Sequence, residues 1–117
     1  MATEETTATE STTAPEKFTL SRVYFDNSTA KYEEVYIYGW GDSGLGQNAQ
    51  LMTQIEGTDI WYYDFASPLA VGAKCFLIKS AKPNWEEQTL DLSVTDGMNC
   101  YKANAGKQTG GSWYYYT

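Results

Sequence analysis

Nowhere in this 117-residue chain does an apolar period of 3.6 residues persist for three turns. That excludes a helical domain, because a helix that packs on a core needs such spacing to bury one face. From Phe18 onward the chain is instead cut into short runs rich in Tyr, Trp, Val, Ile and Thr. Those side chains pack well on a pleated surface. Turn residues separate the runs: Asp26-Asn27-Ser28, Gly44-Leu45-Gly46, Glu56-Gly57-Thr58-Asp59, Lys82-Pro83-Asn84, Asp96-Gly97 and Gly110-Gly111. The spacing predicts strands over 22–25, 34–40, 60–65, 73–80, 88–93, 99–103 and 112–116, the third ending before Pro68. The expected fold is all-β, an antiparallel, immunoglobulin-like β-sandwich of about seven to eight short strands.

Residues 1–16 have a different composition: Thr, Glu, Ala and Ser, closed by Pro15, with no large apolar side chain after Met1. Such a stretch buries too little surface to offset its ordering entropy, so the expectation is a disordered linker. It carries neither the basic region nor the apolar run of an export signal. The division predicted is thus a Thr/Glu-rich linker over 1–16 and one β-sandwich domain over 17–117, a length that supports a core of its own. Thr/Pro/acidic linkers suit multidomain extracellular proteins, so the domain is expected to act as a monomer within a secreted or cell-surface parent.

Charge narrows the partner. At a formal net charge of -7, the surface repels phosphate, which argues against nucleic acid and against anionic membranes. A neutral ligand fits most easily. The chain has no histidine, so both the commonest general base and the commonest metal ligand are missing. Cys75 and Cys100 cannot make a zinc site by themselves, and Asp42-Ser43-Gly44 matches no calcium-loop spacing. No cofactor or metal is expected. The two cysteines read equally as one disulfide or as two buried thiols, since sequence does not place their Cα atoms.

The run from Glu34 to Trp40 is the most informative. Alternation sends Val35 and Ile37 to one face and Tyr36, Tyr38 and Trp40 to the other. The aliphatic face belongs in the core, which leaves three aromatic rings where a sandwich normally shows polar groups. The flat C–H face of a pyranose covers such rings while its hydroxyls seek hydrogen bonds at the rim. Lys79 ends one strand, Gln88 begins the next, and Trp85 lies in the polar loop between them. These six residues form the candidate ligand site. Trp61 and Trp113 begin strands and are expected at the edge or in the core.

The order Val-Tyr-Phe-Asp-Asn-Ser, Val-Tyr-Ile-Tyr-Gly-Trp, Ile-Trp-Tyr-Tyr-Asp-Phe, Cys-Phe-Leu-Ile-Lys and Glu-Glu-Gln-Thr-Leu-Asp-Leu resembles starch-binding carbohydrate-binding modules of family 26, related to family 25. The resemblance spans roughly residues 23–92. It implies an antiparallel β-sandwich that binds starch, amylopectin and maltooligosaccharides on its surface without catalysis. It assigns ligand contact to Tyr36, Tyr38 and Gln88, and a structural place to Tyr32. This chain departs from the family pattern at Gly46-Gln47-Asn48-Ala49-Gln50, where a further Trp is usual. A second stacking ring then comes from Trp40 or, in the manner of family 25, from Trp85.

Two other functions compete. A glycosidase needs two carboxylates about 5–9.5 Å apart, and Glu33/Glu34 and Glu86/Glu87 are acidic pairs. Neighbours on a strand face opposite ways, so neither pair converges on one bond, and both read as solvated edge charge. A protein-interaction sandwich of a surface complex is the other alternative, since Tyr-rich patches are typical hot spots. Deleting residues 2–16 is expected to leave melting temperature and maltoheptaose affinity unchanged, checked by calorimetry and titration. A drop in affinity would show that the segment closes over the aromatic face.

Overall fold

The computed structural model describes residues 18–81, 86–105 and 110–117. The expected linker over 1–16 lies outside these residues, as does the Lys82-Pro83-Asn84 turn. Among these residues eight strands form: β1 (Thr19–Asp26), β2 (Tyr36–Gly39), β3 (Asn48–Leu51), β4 (Thr53–Gln54), β5 (Ile60–Ala70), β6 (Phe76–Lys79), β7 (Cys100–Ala103) and β8 (Gly111–Tyr114). They make a five-stranded sheet, β4-β5-β1-β7-β8, and a three-stranded sheet, β3-β2-β6. The fold is therefore the all-β sandwich the sequence predicts. One pair departs from antiparallel order: β1 runs parallel to β7, with Phe25 opposite Tyr101.

The core lies between the sheets. Val23 and Phe25 of β1 are fully buried, as are Val35 and Ile37 around β2 and Phe76 and Ile78 of β6. Phe65, Leu69, Leu92, Val94, Met52 and Tyr101 complete one contiguous cluster. β1 from Val23 on and β2 alternate buried and partly open positions, because successive side chains point to opposite faces, whereas in β6 the outward Leu77 is buried too. Trp61 and Trp113 are partly buried against this cluster, in keeping with their expected packing role.

Three differences from the sequence reading have local causes. First, β5 continues through Pro68 to Ala70. Between the pairs Arg22↔Asp64 and Leu20↔Leu69, Ser21 alone faces the four residues from Phe65 to Pro68. A residue without an N–H is tolerated inside such a bulge. Second, β3 and β4 were not expected, because every residue in them is exposed and mostly polar. They are edge strands, and the chain changes sheets between them at Met52. That side chain is buried, and its N–H donates to the Val35 carbonyl at 2.8 Å. Third, the strand expected over 88–93 reduces to two bridges onto β6, Lys79↔Gln88 and Phe76↔Leu92. Thr89, fully buried between them, accepts the Ile78 N–H through its hydroxyl at 3.1 Å and donates to the Leu90 carbonyl at 2.8 Å. Cys75 and Cys100 are both buried free thiols, one leading into β6 and the other opening β7.

The loop that leads from β1 to β2 is tied by Asn27. Its Oδ1 accepts the Tyr32 N–H and its Nδ2 donates to the Tyr32 carbonyl, both at 2.8 Å. Tyr32 in turn stacks on Phe25, centroids 5.6 Å apart and planes 12° from parallel. This clamp sets where β2 enters the sheet. Asn27→Ala leaves two buried backbone groups of Tyr32 without their partners, at a cost of about 2–3 kcal/mol. A domain of this size loses roughly 4–8 °C of melting temperature per kcal/mol, so calorimetry is expected to show a drop of at least ~8 °C. Asn27→Asp, which keeps the acceptor, is expected to fall between.

Asp26, next in the same corner, supplies a pH dependence. Burial pushes its carboxyl pKa up, but hydrogen bonds from Ser28 and from the Tyr114 hydroxyl (2.6 Å) outweigh that, so its pKa lies below the usual value. A carboxyl with a lowered folded-state pKa stabilises the fold at pH values above its unfolded pKa. That contribution is lost as pH falls through the folded value. Denaturant titrations from pH 7 downward are expected to show a fall below about pH 4 that Asp26→Asn flattens.

Candidate functional site

β2 presents Tyr36 and Tyr38 on the outer face of the small sheet, both half-buried, over the buried inner positions Val35, Ile37 and Gly39. Cross-strand register decides their neighbours. Tyr36 lies between Leu51 of β3 and Lys79 of β6, and Lys79 bridges to Gln88. Leu51, Tyr36, Lys79 and Gln88 therefore form one row across the sheet. Three of the six predicted site residues lie side by side, although they are far apart in sequence.

The polar members are held by their surroundings. Lys79 Nζ donates to the Ser80 carbonyl at 2.8 Å and lies 5.9 Å from the centre of the Tyr36 ring. Burial lowers the Lys79 pKa from its ordinary value. Gln88 Oε1 is buried and has no hydrogen-bond partner among the described residues. A buried acceptor left unpaired is costly, and turning the Gln88 amide outward to a ligand hydroxyl breaks no hydrogen bond of this oxygen within the described residues. Gln88 also lines an open depression of about 430 Å³ with Lys74, Leu90 and Asp91.

Tyr38 occupies the next outward position, between Ala49 and Leu77. Ala49 is too short to cover the ring. Leu77, beside Tyr38, is covered although it faces outward, and beneath the rings the inner-face Ile37, Phe76 and Ile78 pack the floor. The Tyr38 and Trp40 rings lie 6.1 Å apart with planes at 51°. Trp40 is half-buried and leans on the core cluster, and its main-chain N–H donates to the Cys75 carbonyl at 2.9 Å. Gly39 permits this. A Cβ there would collide with Ser43 Oγ, Leu45 Cδ1 at 2.7 Å and the Cys75 carbonyl at 2.9 Å. With no side chain at 39, the short helical turn Gly41–Ser43 folds tightly against it, its Ser43 N–H donating to the Trp40 carbonyl at 3.1 Å.

Five of the six predicted residues, Tyr36, Tyr38, Trp40, Lys79 and Gln88, thus share one face or its rim. Trp85 lies outside the described residues. Tyr32 is buried, as its structural assignment implied. The sequence reading missed Ala49 and Leu51, which border the rings, and Lys74, Leu90 and Asp91, which extend the surface beyond Gln88. Short polar edge strands and isolated bridges leave no periodic signal.

The acidic pairs require an amendment. Glu33 and Glu34 are exposed, as expected of solvated charge. One glutamate of each pair, Glu33 and Glu87, nevertheless lines a shared depression of about 170 Å³ with Lys31, Ser80 and Ala81. It lies past the Lys79 end of β6, away from the Tyr38–Trp40 rings.

Comparison with protein-family models, with curated proteins and with solved structures returns no match to this chain.

Proposed function

We propose that this chain is a non-catalytic α-glucan-binding module that attaches a secreted or cell-surface parent protein to starch. The observation that carries the reading is the Tyr38–Trp40 pair, two partly open rings set 51° apart on a packed floor. An α-1,4-linked chain curves, so successive glucose units present their faces at an angle. A straight β-linked chain suits coplanar rings. Tyr38 and Trp40 stack on adjacent glucose units, Tyr36 borders them, and Lys79 and Gln88 bind hydroxyls along the row. The unpaired Gln88 oxygen supports the last assignment.

Magnitudes follow from area and hydrogen bonding. Covering 60–100 Å² of apolar ring surface gives roughly 2 kcal/mol per stacked sugar. Two such contacts plus a few hydrogen bonds, less association costs, suit an affinity in the micromolar range, on the order of -8 kcal/mol. The platform requires no ordering of its own floor, which keeps that association cost low.

Titration with maltoheptaose is the test. Tyr38→Ala and Trp40→Ala are each expected to weaken binding roughly thirtyfold, and Lys79→Ala or Gln88→Ala about fivefold. Maltoheptaose at 100 times its dissociation constant is expected to stabilise the fold by ~2.7 kcal/mol, with or without chelator. Binding of cellohexaose in preference to maltohexaose overturns the curved-ligand reading. Loss of binding in Trp85→Ala with Trp40→Ala unaffected moves the second ring to the loop. Release of reducing sugar from soluble starch by the pure chain overturns the non-catalytic assignment.

A further inference from the structure

The outer face of the five-stranded sheet carries aromatic rings of its own. Register sets Thr53, Tyr62, Tyr24, Cys100 and Tyr114 in one row across β4, β5, β1, β7 and β8. Cys100 is fully buried although it faces away from the core, so the tyrosines roof it over. Burial pushes its thiol pKa up to about 11. The rings are held firmly. The Tyr114 hydroxyl donates to Asp26 at 2.6 Å, and Asn99 bonds both the N–H and the carbonyl of Tyr116 at 2.7 and 3.0 Å. Tyr24 meets Tyr62 at 6.3 Å and 57°, and Tyr116 at 4.8 Å and 49°. The Tyr38–Trp40 pair on the opposite sheet has nearly the same geometry, 6.1 Å and 51°.

Polar groups surround these rings. Arg22 lies over Tyr62, its guanidinium carbon 4.2 Å from the ring centre, and makes a two-pronged bond to Asp64 at 2.6 and 3.0 Å. Exposed Lys102 lies opposite Asp26 on the same face, so its two cations are matched by two carboxylates, and in a chain of net charge -7 the face has no net positive charge to attract phosphate, sulfate or an acidic peptide. Arg22 covers the outward face of Tyr62, so the open ring for stacking is Tyr115, and guanidinium N–H donors, carboxylate acceptors and phenolic hydroxyls lie around it. Next to them is an open depression of about 220 Å³ lined by Phe18, Arg22, Tyr24, Asn99 and Tyr115, among others. Tyr115 is 60% exposed.

We propose that this face is a second binding site for a neutral glycan, an α-glucan segment, placed on the opposite side of the sandwich from Tyr38 and Trp40. The proposal rests on the reading of the first platform: partly open rings, an exposed Tyr115 and charge-balanced donors and acceptors around them suit the same ligand chemistry. Two sites facing apart cannot grip neighbouring units of one short chain. They hold two glucan strands, so the module cross-links amylopectin and gains avidity on a branched polymer.

Titration of the full chain with maltoheptaose is expected to give two sites per molecule. Tyr62→Ala and Tyr115→Ala are each expected to remove one, leaving affinity at the other within about twofold. The double variant Tyr38→Ala/Trp40→Ala is expected to keep a single site, which Tyr62→Ala abolishes. Wild-type protein is expected to turn amylopectin solutions turbid at intermediate ratios, and each single-site variant to leave them clear. Melting curves accompany every variant, and Tyr115→Ala, at the most open ring, decides the matter if Tyr62→Ala does not fold. A single site lost in Tyr38→Ala/Trp40→Ala and untouched by Tyr115→Ala overturns the second platform and leaves the first intact. No maltoheptaose binding at all overturns both. Self-association that Tyr62→Ala disperses, with one glucan site, gives the face to a second copy of the chain and overturns the proposal.

Discussion

Val35 and Ile37 have no exposed surface, and their burial fixes the register of β2. Because side chains alternate with a period of two, a slip of one residue would turn Tyr36 and Tyr38 into the core and expose both aliphatics. Everything at the candidate site follows from that constraint. β3 and β6 pair on either side of β2 and bring Ala49, Leu51, Leu77 and Lys79 to the rings. The residues over 88–92 then attach to β6 and place Gln88 beside Lys79. The Asn27 clamp and the Phe25–Tyr32 stack act upstream, by delivering the chain to β2 at the right height.

Much of this was legible in the sequence because β2 obeys one simple rule. Its alternation separates core from surface without ambiguity, and the turn residues before and after it bound the strand. The run from Ile60 to Phe65 shows the opposite case. Its residues are nearly all apolar or aromatic, so no pattern says which ring faces out. The structure sends Tyr63 inward, edge-on to Phe65 at 5.4 Å, and Tyr62 outward beneath Arg22. The aromatic face on the large sheet therefore went unread. β3 and β4 were missed for another reason. An exposed edge strand needs no apolar residues, and only its pairing partner reveals it. The adjacency of Lys79 and Gln88 is a tertiary fact that their residue types suggest but do not specify.

The polar groups around the rings differ in what holds them. The Arg22–Asp64 pair is exposed, and such pairs contribute little to folding, typically under about 1 kcal/mol. Its hydrogen bond to Arg22 holds the Asp64 carboxyl below the usual range. The Tyr114–Asp26 bond belongs instead to a partly buried corner, where the phenol pKa is pushed well above its ordinary value by burial and by that carboxylate. The first pair serves orientation of a guanidinium over a ring, the second serves cohesion between β1 and β8.

The parallel pairing of β1 with β7, followed by the return of β8, brings the start of β1 and the end of β8 to one end of the sheet. Phe18 and Tyr115 line the same depression, and Asn99 fastens the backbone of Tyr116 near where β1 begins. Within a longer polypeptide such a unit hangs to one side like a pendant and adds little to the contour length between its neighbours. Tension along that polypeptide would reach β1 and β8 from the same end of the sheet. It would open hydrogen bonds one after another, as in a zipper, without loading them all at once in shear.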